Sequence, residues 1–469
     1  MTSNYDVRIW SIRKYKGKRA TTYTVRWSVG GRAFPETFAT SKLAESFRSK
    51  LLTAAREGVP FDESTGLPEP MARARNSRTW YEHACDFVDI KWPRASARHR
   101  KSIAEALANV TPALLATERG APDPDELRRV LRTWSFNSKA RHRVSSSEAP
   151  RAAQWAAQNT MKVSELADTA VIRRALDTLA LTLDGKAAGA TTIARKRAVF
   201  YGALRYAVER GLLEANPIDR VQWVTPKDAA EVDSRVVVNP QQARDLVAAV
   251  REVAPSLEAF FATIYYAGLR PAEVLHLREA DCKLPDTGWG ELLLTGSTQH
   301  VGEAWGDGDD AREDRGLKHR PRKDTRRVPA CPDLVRVLRG HLETFGVQDG
   351  RLFVVRTGAF GTPTSKPYAN AVSPVTYAAV WRKARARTLT EHQVASPLAR
   401  RPYDLRHACV SLWLNAGVPA TQVAEWAGHS VHVLMRVYAK CIYGQDEAAR
   451  RRIEAALAAG GPRQTSGPA

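Results

Sequence analysis

Cysteine is scarce in this sequence: the chain has five, they lie far apart, and none forms a Cys-x-x-Cys pair or a Cys/His cluster. This spacing argues against a structural zinc site and a disulfide scaffold, and it is typical of a reducing compartment. No uninterrupted apolar run approaches the roughly 20 residues that a membrane-spanning helix needs. The first residues, MTSNYDVRIW, lack the pattern of a signal peptide. We therefore expect a cytoplasmic protein.

Acidic residues are also in short supply. The 50 aspartates and glutamates are outnumbered by 71 lysines and arginines, which gives a formal net charge of +21 and an isoelectric point near 10.0. A protein this basic usually binds a polyanion, most often nucleic acid. An anionic membrane surface is the alternative. It fits less well, because the basic residues are spread over several segments rather than gathered on one amphipathic helix.

The first 60 residues read as a unit of their own, with 12 lysines and arginines against 4 acidic residues. Three stretches, DVRIWSI, TYTVRWSV and RAFPETFA, are rich in strand-forming residues, and Gly30-Gly31 between the last two predicts a hairpin. A helix follows, with Ser41 as its expected N-cap and Gly58 at its end. This predicts a β-β-β-α unit. Its basic sheet suits a DNA groove; a solvated sheet face is the alternative.

Composition divides the rest of the 469-residue chain, whose length predicts two to four domains. Thr191 is the expected N-cap of a long helix, and Asn239-Pro240 is the expected start of another. The predicted fold class is multidomain and mainly α, with the N-terminal β unit, a helical domain and a C-terminal α+β domain. We place a linker at 61–75, the helical domain at 76–225, a second linker at 226–238, the α+β domain at 239–445, and a terminal helix and tail at 446–469.

Residues suited to phosphodiester chemistry follow one another along the α+β domain. Cutting a DNA phosphodiester without a metal requires guanidinium groups for the charged non-bridging oxygens, a nucleophile in line, and an acid for the leaving oxygen. The chain supplies such groups in order: Arg270 in GLRPAE, Lys318 in RGLKHRPRKD, Arg406 in YDLRHA, His429 in GHS and Tyr438 in VLMRVYAK.

With these motifs in this order, the chain resembles tyrosine recombinases of the phage-integrase family. It is most similar to integrases of actinobacterial integrative elements and phages. The resemblance is strong over 235–445 and weaker over 75–225, where TTIARKRAVFYGALRYAVERGLLEANP is similar to the end of a core-binding domain. It implies an arm-type DNA-binding domain at 1–60, a core-binding domain at 76–225 and a catalytic domain at 239–445. The last two would close around duplex DNA.

The resemblance also implies a mechanism. Tyr438 would attack the scissile phosphate and form a 3′-phosphotyrosyl link, which conserves the bond energy, so no metal and no cofactor are expected. Arg270 and Arg406 would hold the non-bridging oxygens. His429 would donate a hydrogen bond to the same phosphate, and Lys318 would protonate the leaving 5′-oxygen.

One position departs from the family pattern. The family usually has histidine three residues before the second arginine, where this chain has Tyr403. A phenol, with a pKa of about 10, is a poor base near neutral pH, so we expect Tyr403 to contact the phosphate or to support the structure. His407 follows Arg406 directly, and neighbours on a helix point about 100° apart, so we interpret His407 as structural. Glu273, one turn after Arg270, is expected to orient a guanidinium.

Several alternatives stay open at this point. Lys323 competes with Lys318 for the role of acid, and Tyr443 is a second tyrosine just past the motif. The stretch GDGDDARED lacks the full spacing of a calcium loop, and we interpret it as a solvated acidic loop. The terminal helix packs either on its own domain or on a neighbouring protomer.

The expected partners follow from the resemblance as well. They are double-stranded DNA attachment sites, a homotetramer assembled on paired sites, an excisionase and a DNA-bending protein, all in a bacterial cytoplasm near the nucleoid. Two other functions compete with integration or excision of a mobile element. One is a strand transferase like the type IB topoisomerases, and the other is a DNA-binding regulator with a decayed active site.

Overall fold

The computed structural model describes residues 3–17, 20–76, 78–143, 149–182, 185–224, 232–308, 312–318, 324–355, 372–441 and 446–459. The chain divides into two compact units, Met1–Asp228 and Ala229–Ala469. Helices dominate, and small sheets lie at the N-terminus and within the second unit, which confirms the predicted fold class. The division into arm, core and catalytic domains stays a prediction. Among the described residues, none of the helices combines the length and apolarity needed to cross a membrane.

An antiparallel sheet opens the first unit. Strand β4 lies at its centre, with β5 along one edge and β2 and β3 along the other, and β1 pairs with β6 beside it. The elements are β1 (Ser3–Asn4), β2 (Val7–Ile9), β3 (Arg13–Lys16), β4 (Thr21–Val29), β5 (Arg32–Phe38), α1 (Ser41–Arg56), β6 (Phe61–Asp62) and α2 (Glu69–Asn76).

Turn and cap chemistry explain this local structure. Gly30 and Gly31 join β4 to β5 with φ of 54° and 82°, values that suit a two-residue hairpin, so the predicted hairpin is confirmed. The predicted cap of α1 is wrong by one residue. The hydroxyl of Thr40 accepts the Leu43 backbone N–H, while Ser41 is already helical, because either hydroxyl can cap and only the extended residue does so.

The core of this sheet extends beyond residue 60. Trp27 and Leu51 lie in it, and so do Phe61, Leu67 and Ala72, which belong to the segment expected to be a linker. Phe61 is fully buried and pairs with β1. Residues 61–75 are therefore ordered structure that completes the small core rather than a connecting stretch.

Helices make up the remainder of the first unit. Helix α4 packs against α8 and α9, and the buried Trp80 meets Phe200 edge to face. The long α9 begins at Ala190 after an extended Gly189, so the prediction of Thr191 as its N-cap is wrong. The helices are α3 (Trp80–Lys91), α4 (Ala97–Val110), α5 (Pro124–Val130), α6 (Ser138–Arg141), α7 (Arg151–Asn159), α8 (Thr169–Leu179) and α9 (Ala190–Glu209).

The second unit surrounds the buried helix α11 with α10, α13 and α16. Its elements are α10 (Pro240–Val253), α11 (Glu258–Tyr266), α12 (Pro271–Val274), β7 (Cys282–Lys283), β8 (Gly290–Leu294), β9 (Ser297–His300), β10 (Arg312–Arg315), β11 (Arg326–Ala330), α13 (Pro332–Phe345), α14 (Pro374–Thr388), α15 (Glu391–Ala395), α16 (Asp404–Asn415), α17 (Ala420–Ala427), α18 (Val431–Tyr438) and α19 (Asp446–Ala459). Strands β11, β8 and β7 form one antiparallel sheet, and β9 and β10 form a separate ribbon. The predicted start of α10 is confirmed, since Asn239 and Gln242 form a capping box there.

Both ends of the second unit are attached to the helices that carry the candidate site. Within the expected linker 226–238, the Val232 backbone N–H donates to the Val437 carbonyl of α18 at 2.8 Å. The preceding residues 226–231 lie outside the described part. At the other end, Arg452 of α19 donates to the Ala416 carbonyl, at the end of α16, at 3.1 Å, while Ile453 on the same helix is exposed.

Candidate active site

Four of the residues predicted from the motifs come together in the second unit. Arg270 immediately precedes α12, which starts at Pro271. Arg406 lies in the first turns of α16, and Tyr438 is the last residue of α18. His429 lies in the short connection between α17 and α18 and not inside a helix, because Gly428 ends α17 in the left-handed conformation.

Arg406 forms the centre of this cluster and is fully buried. Its Nη1 donates to the Gly268 carbonyl, and its Nη2 donates to the Ala427 carbonyl at 2.5 Å and approaches the His429 Nε2 at 3.0 Å. Its Nε has no partner among the described residues. The guanidinium therefore joins the turn before Arg270 to the end of α17.

The contact with Arg406 determines which ring nitrogen of His429 carries the proton. A guanidinium only donates, so the Nε2 of His429 accepts and its proton lies on Nδ1. Burial, reinforced by the charges of Arg406 and Arg270, lowers the pKa of His429 to about 3. The ring is therefore neutral near pH 7, and its buried Nδ1 has no partner among the described residues. In this arrangement Nε2 is occupied by Arg406 and cannot donate to a phosphate.

A buried carboxylate between two arginines holds Arg270 in place. Glu273 accepts from the Arg270 Nη1 at 2.8 Å and from the Arg326 Nη1 and Nη2 at 3.2 and 2.8 Å. Burial acts to raise the pKa of Glu273, but the two guanidiniums outweigh it and lower the pKa to about 2. Arg270 also donates to the Gly428 carbonyl at 3.0 Å. The expected pairing of Glu273 with a guanidinium is present, and it involves a second arginine.

Arg326 is a residue that the sequence interpretation missed. It lies on β11, is 3% exposed, and pairs with Glu273 through both terminal nitrogens. The sequence pattern could have revealed it, because Arg326, Val328 and Ala330 occupy alternate positions of RRVPA and share the buried face of the strand. A basic residue at an inward position of a short strand requires a buried anion, and Glu273 is that anion.

Tyr438 lies at the edge of the cluster and is fully buried. Its hydroxyl is 2.9 Å from the Nδ1 of His407. Burial raises the pKa of the phenol, and the nearby Arg406 guanidinium opposes this only in part. Burial and the charges of Arg406 and Arg401 lower the pKa of His407 to about 4. His407 contacts the candidate nucleophile, and the interpretation of this residue as structural missed that contact.

Tyr403 lies beside the same residues. Its ring meets the His407 ring edge to face, with the centroids 5.1 Å apart, and lies 6.0 Å from the Arg406 guanidinium. Burial acts to lower the pKa of Arg270, but the Glu273 carboxylate and the nearby Tyr403 raise it above its ordinary value. The aromatic ring at this position packs beside Arg406 and His407.

The candidate acid is not brought to this cluster. Lys318 follows β10, is exposed, and makes no described contact with Arg270, Arg406 or Tyr438. Lys323 and Tyr443, the two alternatives from the sequence, lie outside the described residues.

The acidic stretch GDGDDARED is only partly described, since residues 309–311 lie outside the described part. Its Asp314 accepts from Thr298 at 2.5 Å and from Arg351 at 2.6 Å, so this carboxylate is tied into the ribbon. Within the described ranges, we find no group of three or more His, Cys, Asp or Glu side chains arranged to hold a metal ion.

Replacing Gly428 by alanine should destabilise the cluster. Gly428 has a φ of 62°, and an added Cβ would overlap the Arg326 guanidinium. Left-handed strain costs about 1–2 kcal/mol, and overpacking costs about 1–3 kcal/mol. Together they should lower the free energy of unfolding, which urea denaturation of the full chain measures. Gly288→Ala is the control, because Gly288 has a φ of 86° with open space around it. Equal losses in the two variants would contradict the crowding at Gly428.

Comparisons with known proteins give distant structural likenesses. No protein-family model matches the chain, and no curated protein matches it. The integrase of transposon Tn1549, solved in complex with a circular-intermediate DNA, is 13% identical, with 81% of this chain and 100% of that chain covered at a TM-score of 0.48. The XerH site-specific recombinase bound to its difH substrate is 14% identical, with 81% and 95% covered at 0.41.

A lambda integrase tetramer bound to a Holliday junction is also similar, at 14% identity, with 91% of this chain and 92% of that chain covered and a TM-score of 0.41. These identities are low and the TM-scores lie below 0.5. The function of the chain is therefore argued from the geometry of its own cluster.

Proposed function

We propose that the chain is a site-specific DNA recombinase that cuts and rejoins DNA through a 3′-phosphotyrosyl intermediate, an integrase most like those of actinobacterial integrative elements and phages. One observation carries the proposal. The hydroxyl of Tyr438 lies 2.9 Å from the Nδ1 of the neutral His407, beside a buried set of arginines in the second unit. A hydroxyl, a proton acceptor and guanidiniums are the groups that phosphoryl transfer to tyrosine needs.

The arginines suit a phosphate in charge and in geometry. Guanidiniums bind phosphate oxygens through paired hydrogen bonds and hold their positive charge at any relevant pH. The side chain of Arg270 is 18% exposed, while the Nε–H of Arg406 has no partner among the described residues. Both would contact the non-bridging oxygens, where charge accumulates in the transition state.

The remaining groups would complete the reaction. Tyr438 attacks the phosphorus, the bond to the 5′-oxygen breaks, and Lys318 protonates that oxygen, brought in from its exposed position by bound DNA. Once phosphate competes for the Arg406 guanidinium, the Nε2 of His429 is released from it, and the ring then contacts the phosphate. Tyr403, whose ring lies beside Arg406 and His407, acts as a phosphate-contacting donor and not as a base. A partner strand's 5′-hydroxyl reverses the first step and reseals the DNA.

The proposed partners follow from the same role. The net charge of +21 suits a DNA ligand. The N-terminal sheet presents an exposed basic strand, Arg13–Lys16, which suits arm-type sites, and the helical segment 76–225 suits the core site. The acting unit would be a homotetramer on paired attachment sites in the bacterial cytoplasm, with an excisionase and a DNA-bending protein controlling direction.

A trapping experiment tests the proposal. Short duplexes are first recovered from a randomised library by repeated binding selection with the wild-type protein. Each is then given a nick beside the candidate phosphate, so that the cut fragment diffuses away and the covalent product accumulates. We expect a denaturant-resistant protein–DNA adduct in the presence of EDTA, with the nucleotide mapped to Tyr438 by mass spectrometry.

The failures of this test are informative. No adduct on duplexes that the protein binds would overturn the proposal in favour of a DNA-binding regulator. Relaxation of supercoiled plasmid by isolated protomers, without pairing of two sites, would instead indicate a topoisomerase-like activity.

A further inference from the structure

The hydroxyl of Tyr438 has one hydrogen-bond partner in the described part of the chain. That partner is the Nδ1 of His407, at 2.9 Å, with the two ring centroids 5.6 Å apart. His407 lies on α16, directly after Arg406, while Tyr438 ends α18. The packing of these two helices therefore puts an imidazole on the atom that would attack the phosphate.

The neighbours of Tyr438 leave few groups that can accept its proton. Arg406 only donates. The Nε2 of His429 faces Arg406 at 3.0 Å, and the His429 ring centroid is 6.2 Å from that of Tyr438. Tyr403 is itself a phenol, and its ring lies edge to face on that of His407. Among the described residues, the imidazole of His407 alone contacts the hydroxyl, and its Nδ1 accepts the phenol proton when the ring carries its own proton on Nε2.

The surroundings of His407 keep that nitrogen available. The charged groups acting on it are the guanidiniums of Arg406 and Arg401, and Tyr403 covers its ring edge to face. Burial and the two positive charges hold the pKa of His407 at about 4, so the ring is neutral near pH 7. A bound phosphate would bring negative charge beside it and stabilise the imidazolium at the moment when the proton arrives.

We propose that His407 is a catalytic residue that aligns the Tyr438 hydroxyl and accepts its proton as the oxygen attacks the DNA phosphorus. The inference rests on the proposed function. In cleavage, the Tyr438 O–H proton passes to His407, the bond from the tyrosine oxygen to phosphorus forms, and the phosphorus–5′-oxygen bond breaks. That oxygen takes its proton from the acid, assigned to Lys318. In resealing, a 5′-hydroxyl attacks the phosphorus and gives its proton to the neutral Lys318, the bond from phosphorus to the tyrosine oxygen breaks, and His407 returns the proton to that oxygen.

The assignment gives His407 the role that Tyr403 cannot fill. The tyrosine recombinases that this chain resembles usually have histidine at the position of Tyr403. Here the imidazole of His407, one helical turn later, contacts the nucleophile instead. The exchange keeps one imidazole beside the nucleophile to take its proton, and the ring of Tyr403 packs edge to face on that imidazole.

The test compares single-turnover rates of adduct formation on the nicked duplexes defined above. His407→Asn keeps a polar atom near the Nδ1 position and removes the basic nitrogen, and we expect the rate to fall by about a hundredfold or more. His432→Asn is the matched control, since His432 lies on α18 and is exposed; its rate should equal that of wild type. DNA affinity and thermal unfolding verify that each variant is folded, and His407→Gln replaces His407→Asn if the latter is not.

Two further readouts separate proton acceptance from a merely structural role. Fluorinated tyrosine at position 438 has a more acidic hydroxyl and needs less help from a base, so the defect of His407→Asn should shrink at least severalfold. A bridging sulfur in place of the 5′-oxygen leaves without a proton, so it should rescue Lys318→Ala and leave His407→Asn slow.

The outcomes are distinguishable. A wild-type adduct together with an unchanged or faster His407→Asn rate, a defect that fluorotyrosine does not reduce, or rescue by the bridging sulfur would each overturn the role of His407 while the proposed function stands. Absence of any wild-type adduct would remove both.

Discussion

Tyr438→Phe is expected to reduce covalent adduct formation by more than about a thousandfold, since the nucleophilic oxygen itself is removed. DNA affinity should stay that of wild type, because the phenol is fully buried and its removal leaves the basic surface unchanged. The measurement is the nicked-duplex assay on a denaturing gel, beside a binding titration at the same salt concentration.

The variant should also fold. Phenylalanine fills the same space within the cluster of Leu434, Val410 and Cys441. The substitution removes the buried hydrogen bond between the Tyr438 hydroxyl and the Nδ1 of His407. Leaving that partner unpaired costs about 1–3 kcal/mol, which is small beside the expected loss of activity. Thermal unfolding of the two proteins measures this difference directly.

Tyr403→Phe is the control for Tyr438→Phe. It also removes one hydroxyl from the cluster, but it leaves the nucleophile in place, so an adduct should still form, with a slower rate because a proposed phosphate-contacting donor is lost. An adduct that persists at full yield in Tyr438→Phe would show that another residue attacks, and Tyr443→Phe would then be the next variant to measure.

Glu273→Ala is expected to lower the free energy of unfolding by about 3–5 kcal/mol, because it leaves two guanidiniums without their counter-charge in a buried site. Glu273 is 2% exposed and pairs with both Arg270 and Arg326. Urea denaturation of the full chain measures the change. Glu291→Ala is the control, since Glu291 makes an exposed 3.4 Å ion pair with Arg327, the neighbour of Arg326 on β11. Exposed pairs of this kind contribute about 0–1 kcal/mol.

The acid dependence of stability tests the same carboxylate. Its pKa is lowered from 4.5 to about 2 in the folded chain, so its contribution is complete above pH 4.5 and is lost as the pH falls from there towards 2. Glu273→Ala should therefore flatten this part of the stability curve, whereas Glu291→Ala should leave it unchanged. Parallel curves for wild type and Glu273→Ala would contradict the buried ion-pair assignment.

Local chemistry was the part of the fold that could be predicted from the sequence. The Gly30-Gly31 hairpin and the Asn239 cap each depend on a few adjacent residues with specific conformations. Ser41 and Thr191 failed as caps for a physical reason, since each has a neighbour that begins the helix earlier. Phe61 was assigned to a linker because its partners, β1 and the small core, are distant in sequence.

The candidate site divides in the same way. Motif order pointed to Arg270, Arg406, His429 and Tyr438, and the fold brings these four together. It did not reveal that Arg326 shares Glu273 or that His407 meets Tyr438, because both contacts join elements whose packing no local spacing encodes. The catalytic roles of all these residues stay predictions until the kinetic experiments are done.

Arg406 has a consequence for how this protein would lose activity over time. Its guanidinium joins the Gly268 and Ala427 turns from a fully buried position, so selection for a folded chain alone would retain it, along with Glu273. A lineage that kept only DNA binding would then change first at His407 or at the Tyr438 hydroxyl. Those two positions, and not the arginines, would distinguish an active relative from an inactive one.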